Sequence, residues 1–147
     1  NPPQSWPTGS VITPHPAEAA RLLETTTAAV QANRPDALKR LVQLTGCVVV
    51  LKGAHTVIGA PNVPAVVVPG DVPALAVAGS GDVLSGVIAG LMAQGASAFD
   101  AALCACWLHA LAGRRLGEGR ADRGVQATEI GDLVPSLIAE MLQGWLA

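Results

Sequence analysis

The sequence predicts an α/β layer fold, and three observations carry that expectation. Amphipathic helical stretches alternate with short apolar runs along the chain. One of those runs, CVVVL at residues 47–51, is apolar without interruption, the pattern of a strand buried on both faces. No internal repeat and no linker divides the chain, so the elements belong to one layered unit.

The elements follow in order. Residues 1–9, NPPQSWPTG, are Pro-rich and read as an irregular lead-in. Residues 10–12 fit the end of a short strand. Residues 17–24 form a helix, with Pro16 near its first turn and Glu18 placed for the helix dipole. Residues 27–32 make a turn of helix, broken by Asn33-Arg34-Pro35. The helix of residues 36–44 carries Leu38, Leu41, Val42 and Leu44 as its apolar set, and Gly46 ends it. The buried strand 47–51 is followed by a loop at 52–55 and by strands at 56–58 and 65–68. A loop spans 69–77. A helix over 82–93 carries Val83, Leu84, Val87, Ile88, Leu91 and Met92 on one broad face, and Gly86 and Gly90 leave room for a close neighbour. A long buried helix covers 99–116 and a charged, glycine-rich loop covers 117–124. The last helix starts at Thr128 or Glu129 and runs to about Gly144.

Half of the 147 residues are apolar and 14% are charged, which excludes a disordered chain. The net charge of −2 leaves no basic surface for nucleic acid, and the absence of Tyr with a single Phe leaves few stacking platforms. No apolar run is long enough to span a bilayer, and no signal peptide is visible. Cys47, Cys104 and Cys106 lack metal-ligand spacing with any His and read as reduced, mostly buried thiols of a cytoplasmic protein. The chain starts with Asn, so processing, trimming or a longer gene product is an open expectation.

Three motifs carry the chemistry. The first is VAGSGDVLSGVIAGLMAQG, from Val77 to Gly95. It lacks the Gly-Lys-Ser/Thr of a Walker A loop, and Leu84 stands where a dinucleotide fingerprint needs its third glycine. What remains is Gly-Ser-Gly-Asp opening a helix. Asp82 either caps the helix or works beside an anion site. In the second case the N–H groups of Gly79, Ser80 and Gly81 hold the oxygens of a transferring phosphoryl group, and Asp82 takes the proton of an attacking hydroxyl. The second motif is VVVLKGAHT, Val48 to Thr56. Lys52 and the Gly53-Ala54 backbone end a buried strand, where open α/β sheets bind ligands; the alternative is a lysine snorkelling at a strand end. His55 faces solvent in this reading. The third is TPHPAE, Thr13 to Glu18, with His15 clamped between prolines, either as a ligand-facing residue or as a satisfied His in a rigid turn. His109 reads as a core or helix-packing residue.

The ordered set TPHPAEAARLL, VVVLKGAHTVI and AGSGDVLSGVIAGLMAQG, with CWLHALAG after it, resembles the ADP/ATP-dependent NAD(P)H-hydrate dehydratases, the carbohydrate-kinase-like YjeF C-terminal domain. The resemblance runs from Val11 to the C-terminus. It implies a ribokinase-like fold with a mostly parallel central sheet flanked by helices, residues 1–147 being the C-terminal part of that single domain. It implies repair of hydrated NADH or NADPH: a nucleotide, ADP or ATP, phosphorylates the added hydroxyl with magnesium (Mg2+) as cofactor, and phosphate then leaves. Lys52, Gly53, Ala54, His55, Thr56 and Gly81 would line the nucleotide site. His15 and Asp82 would contact the hydrated dinucleotide, with Asp82 as catalytic base. It also implies homo-oligomers, and an N-terminal half that completes the sheet and the substrate pocket. The sequence departs from the family at Ala17, where TPHPGE has Gly, and at Val72-Pro73-Ala74, where Asn-Pro-Gly is usual. The alternatives are a small-molecule kinase of the same fold, and a non-catalytic nucleotide-binding half-domain.

Overall fold

The computed structural model describes residues 6–146. The first five residues of the expected lead-in lie outside the described residues. A four-stranded sheet runs in the order β1 (Val11–Ile12), β2 (Val48–Leu51), β3 (Thr56–Ala60), β4 (Val63–Val68). β1 and β2 are parallel, with Val11 opposite Val48, while β2–β3 and β3–β4 are antiparallel. The α/β class holds, but a mostly parallel sheet is not what this segment builds. The loops after β2 and β3 are too short for a crossover, so both must reverse the chain. β4 begins two residues before the expected strand, because Asn62 adopts φ 61° and turns the hairpin there. Pro64 is accepted within it because β4 is an edge strand.

Strand alternation divides the core. Val48 and Val50 of β2, with Ile58 and Val68, face α4 (Ser80–Ala93) and α5 (Ala98–Gly117). Val49 and Leu51, with Val57, face α1 (Pro16–Leu22), α2 (Thr27–Ala32) and α3 (Arg34–Thr45). β2 is buried at all four positions, which is why its sequence shows no alternation. Ala101, Ala102 and Ala105 are fully buried, so α5 lies close against the sheet. α6 (Ala127–Leu146) closes the third cluster with Ile130, Val134 and Leu137, one stripe at helical spacing.

Several boundaries moved for local reasons. α1 ends at Leu22 because Glu24 takes φ 51°. Asn33 ends α2 and also caps α3, its Oδ1 accepting from the Asp36 N–H, so Arg34 and Pro35 open a helix where a break was expected. Gly46, at φ 66°, ends α3 as the sequence predicts. Cys104 is exposed rather than buried. Gly86 and Gly90 have open space where a Cβ would lie, so no described neighbour uses them.

One glycine of α5 sets how the loop before α4 packs. The 3-10 turn Pro73–Leu75 packs on α5 at Gly113, where a Cβ would fall 2.5 Å from Leu75 Cδ2 and 3.0 Å from Val72 Cγ1. Gly113→Ala is expected to lower unfolding stability by about 1–3 kcal/mol through overpacking, measured as a lower urea midpoint at unchanged m-value.

Candidate functional site

The glycine turn comes first. Gly79 holds φ 85°, a conformation that favours glycine, and caps α4. Its carbonyl accepts from the N–H groups of both Asp82 and Val83, so the helix starts at Ser80, two residues before the expected Asp82. The Ser80 N–H donates to the Val77 carbonyl at 3.2 Å. Gly79 and Gly81 therefore keep the N–H groups without a backbone partner among the described residues. Asp82 sits in the first turn, exposed, and its carboxylate accepts no capping hydrogen bond. The capping role is thus absent, and what it contributes to the helix is charge alone.

The end of β2 brings the cation. The Lys52 N–H donates to the Pro14 carbonyl at 2.9 Å, which joins the strand end to the TPHP segment. Lys52 Nζ lies 2.9 Å from where a Cβ on Gly81 would be, so the ammonium sits over the start of α4 and a side chain there would push it aside. His55 adopts φ 54°; its Nδ1 accepts from the Gly70 N–H at 3.2 Å and its N–H donates to the Gly70 carbonyl at 2.9 Å. His55 is exposed, as the residue-level reading expects.

The TPHP segment has a structural task of its own. His15 caps α1: its Nδ1 accepts from the N–H groups of Ala17 at 3.2 Å and Glu18 at 3.3 Å, while Glu18 Oε2 accepts from the His15 N–H at 2.7 Å. This is a capping box with His in the cap position. It leaves Nε2 as the ring's proton-bearing nitrogen in the neutral form. Thr13 Oγ1 meets Ser85 Oγ at 3.3 Å, so the same segment also touches α4.

Behind the turn, Ser80 is buried and its hydroxyl meets His109 Nε2 at 3.1 Å; the same nitrogen lies 3.0 Å from the Ser80 carbonyl. A carbonyl only accepts, so His109 Nε2 carries the proton. Burial lowers the His109 pKa, the bond to the Ser80 carbonyl opposes that shift, and the nearby Lys52 charge adds to it. Burial also pushes the Cys106 thiol up to about 12, which leaves it a protonated, inert core group.

These groups surround one cavity of about 530 Å³. His15, Lys52, Gly53, Ala54, Thr56, Ser80 and Gly81 line it. His55, Gly79 and Asp82 do not line it, although Gly79 and Asp82 flank residues that do. Asp71 and His109 also line it; the sequence reading gave Asp71 no role and His109 only a packing one. Neither carries a local signal, because the wall forms only when the loop at 69–77 folds over α5. Among the described residues no cluster of three or more His, Cys, Asp or Glu side chains could hold a metal ion.

A cation and bare N–H groups at a helix start, beside a strand's carboxyl end, define the anion-binding class of α/β proteins. The sequence comparisons narrow the class. The NAD(P)H-hydrate dehydratase family matches residues 5–136, and the chain belongs to that family. It is 49% identical over 102 residues to the ADP-dependent (S)-NAD(P)H-hydrate dehydratase of Neisseria meningitidis, covering 69% of this chain and 34% of that protein. It is 45% identical over 121 residues to the bifunctional NAD(P)H-hydrate repair enzyme of Escherichia coli, covering 82% of this chain and 23% of that one. The ADP/ATP-dependent NAD(P)H-hydrate dehydratase of Bacillus subtilis, co-crystallised with ATP and Mg2+, superposes with a TM-score of 0.86 at 28% identity, covering 93% of this chain and 50% of that chain. A ribokinase-like superfamily protein of Enterococcus faecalis superposes at 0.76 with 30% identity, covering 88% of this chain and 44% of that chain. The fold is ribokinase-like, and the chain spans half or less of each of these relatives.

His109 gives a pH prediction. Its folded pKa lies below the unfolded value, so the unfolded chain binds the proton more readily. Its contribution to stability is complete above an unfolded pKa of about 6.5 and is lost as pH falls through the lower folded value. His109→Gln is expected to lose less stability than the native chain between neutral and mildly acidic pH, read from urea midpoints across that range.

Proposed function

We propose that this chain forms the nucleotide-gripping part of an enzyme that dehydrates hydrated NADH or NADPH back to the intact cofactor. The observation that carries the reading is the convergence of His15, Lys52 and Gly81 on one cavity, with Asp82 next in the chain. Family membership narrows the substrates to a nucleotide, ADP or ATP, and the hydrated dinucleotide. Magnesium would arrive on the nucleotide phosphates, since the described residues offer no three-ligand set for it.

The residues divide the work. The Gly81 N–H, the start of α4 and the Lys52 ammonium receive the phosphoryl oxygens, with Gly79 shaping the turn behind them. Gly53, Ala54, His55 and Thr56 form the loop around the rest of the nucleotide. Ser80 contributes by holding the turn in shape, because its N–H and hydroxyl are already engaged. Asp82 accepts the proton as the added hydroxyl attacks phosphorus. A new P–O bond forms and the phosphoanhydride bond breaks. The carbon–oxygen bond then breaks with departure of phosphate, the adjacent ring carbon gives up a proton, and the double bond returns. His15, held by its cap, presents its ring to the dinucleotide.

The rest of the pocket would come from an N-terminal half of the same domain. β1 is an edge strand of two residues and is only half-buried, so its outer side is open to further strands. A crevice of about 360 Å³ runs along it, lined by Ser10, Val11 and Thr13 on one side and Ser85, Ile88 and Met92 on the other.

The test is recovery of NADH absorbance from hydrated NADH with ADP or ATP and magnesium, using the longest natural polypeptide that carries this segment. Recovery with one of the nucleotides is the expected outcome. No recovery with either one overturns the reading, and a stable phosphorylated product would assign a kinase instead. Asp82→Asn is expected to slow recovery by about 10² to 10⁴ while leaving thermal stability nearly unchanged, because the side chain makes no cap.

A further inference from the structure

Lys52 is held from behind by a residue that does not line the cavity. Arg34, at the start of α3, donates from Nη2 to the Leu51 carbonyl at 2.9 Å and from Nη1 to the Lys52 carbonyl at 3.3 Å. Nη1 also donates to Gln31 Oε1 at 2.8 Å, which steadies the guanidinium. Leu51 is the last residue of β2, and its ladder partner is Val57. Two consecutive carbonyls at the carboxyl end of one strand are thus bridged by a single fork, a geometry that a lysine cannot reproduce.

The other side of the same peptide is fixed as well, because the Lys52 N–H donates to the Pro14 carbonyl. Lys52 is pinned at its N–H by the TPHP segment and at its carbonyl by Arg34. Its side chain is then directed over Gly81, against the start of α4. Gly53 fits the same arrangement. It holds φ 143°, and a Cβ there would fall 2.9 Å from Arg34 Nη1. The glycine thus serves the backbone conformation and also makes room for the guanidinium. The partial burial of Arg34 lowers its pKa, the mark of a cation partly withdrawn from water.

We infer that Arg34 is a positioning residue for the nucleotide site: by bridging the carbonyls of Leu51 and Lys52 it fixes the Lys52–Gly53 peptide so that the lysine ammonium stays over Gly81. This rests on the proposed nucleotide reading of the cavity. Arg34 touches no ligand in this arrangement and acts through Lys52 and Gly53.

The experiment compares the native polypeptide with Arg34→Lys, Arg34→Met and Gly53→Ala, in two measurements. The first is an ADP titration by calorimetry. Both Arg34 variants are expected to bind about tenfold more weakly or worse, since a disturbed charge-assisted contact to an anion costs about that factor or more. Lysine should not rescue, because it keeps the charge but cannot bridge both carbonyls. Native affinity in Arg34→Lys overturns the positioning role in favour of a plain charge effect. The second is amide hydrogen exchange at Lys52 and His55, whose N–H groups bond Pro14 and Gly70. Lys52 should exchange at least tenfold faster in Arg34→Met while the β3–β4 hairpin stays protected; unchanged exchange overturns the inference. If the longest natural polypeptide that carries this segment takes up no ADP, the nucleotide reading fails, and the exchange data alone decide whether Arg34 fixes Lys52. If Arg34→Met does not fold, Gly53→Ala must show the same loss of affinity and protection, and native behaviour there overturns the inference.

Discussion

The meeting of Lys52 with Gly81 is the constraint on which the site depends. A lysine ammonium stands against the amino end of α4, where the helix already carries partial positive charge. Two positive ends in contact are unfavourable, by about 0.3–1 kcal/mol for exposed groups. The backbone on both sides is held: Gly79 fixes the helix start, and Lys52 is bonded at its N–H and its carbonyl, which leaves only the lysine side chain free to move. An anion placed between them removes the conflict. Asp82, in the first turn of α4, offsets part of that charge.

The same economy runs through the other motifs. His15 caps α1 and still lines the cavity, so a single residue serves both the structural and the ligand-facing reading. Ser80 does the opposite of what a glycine-flanked serine invites: its side chain turns inward to His109, and its N–H is spent on Val77. The turn is held by its serine and left open at its glycines. Asp82 then follows as a carboxylate that makes no cap and gives the helix start only its charge.

What could be read in advance divides along the range of the forces. Local signals were legible: the uninterrupted VVVL of β2, the left-handed stop at Gly46, the glycines that bare the start of α4. The convergence of three motifs was legible because family resemblance orders them. Features set by distant contacts were not. Nothing around Arg34 announces that its guanidinium will cross to β2, and NRP reads locally as a helix break. His109 lies in an alanine-rich helix, and its partner is distant in sequence. The antiparallel pairing of β2, β3 and β4 was also hidden, because apolar runs record burial and not strand direction.

That antiparallel meander has a kinetic consequence. β2, β3 and β4 follow one another through short turns, so their pairing needs only small loop closures. The single parallel pair, β1 with β2, must wait for α1, α2 and α3 to cross over the sheet. Pairings of low sequence separation form first as a rule, and β1 would join a ready template. β1, one of the sheet's two edge strands, is by this rule the last of the four to be secured. The edge that further strands would extend is the one whose assembly is slowest, while the Lys52 end of β2 already belongs to the early meander.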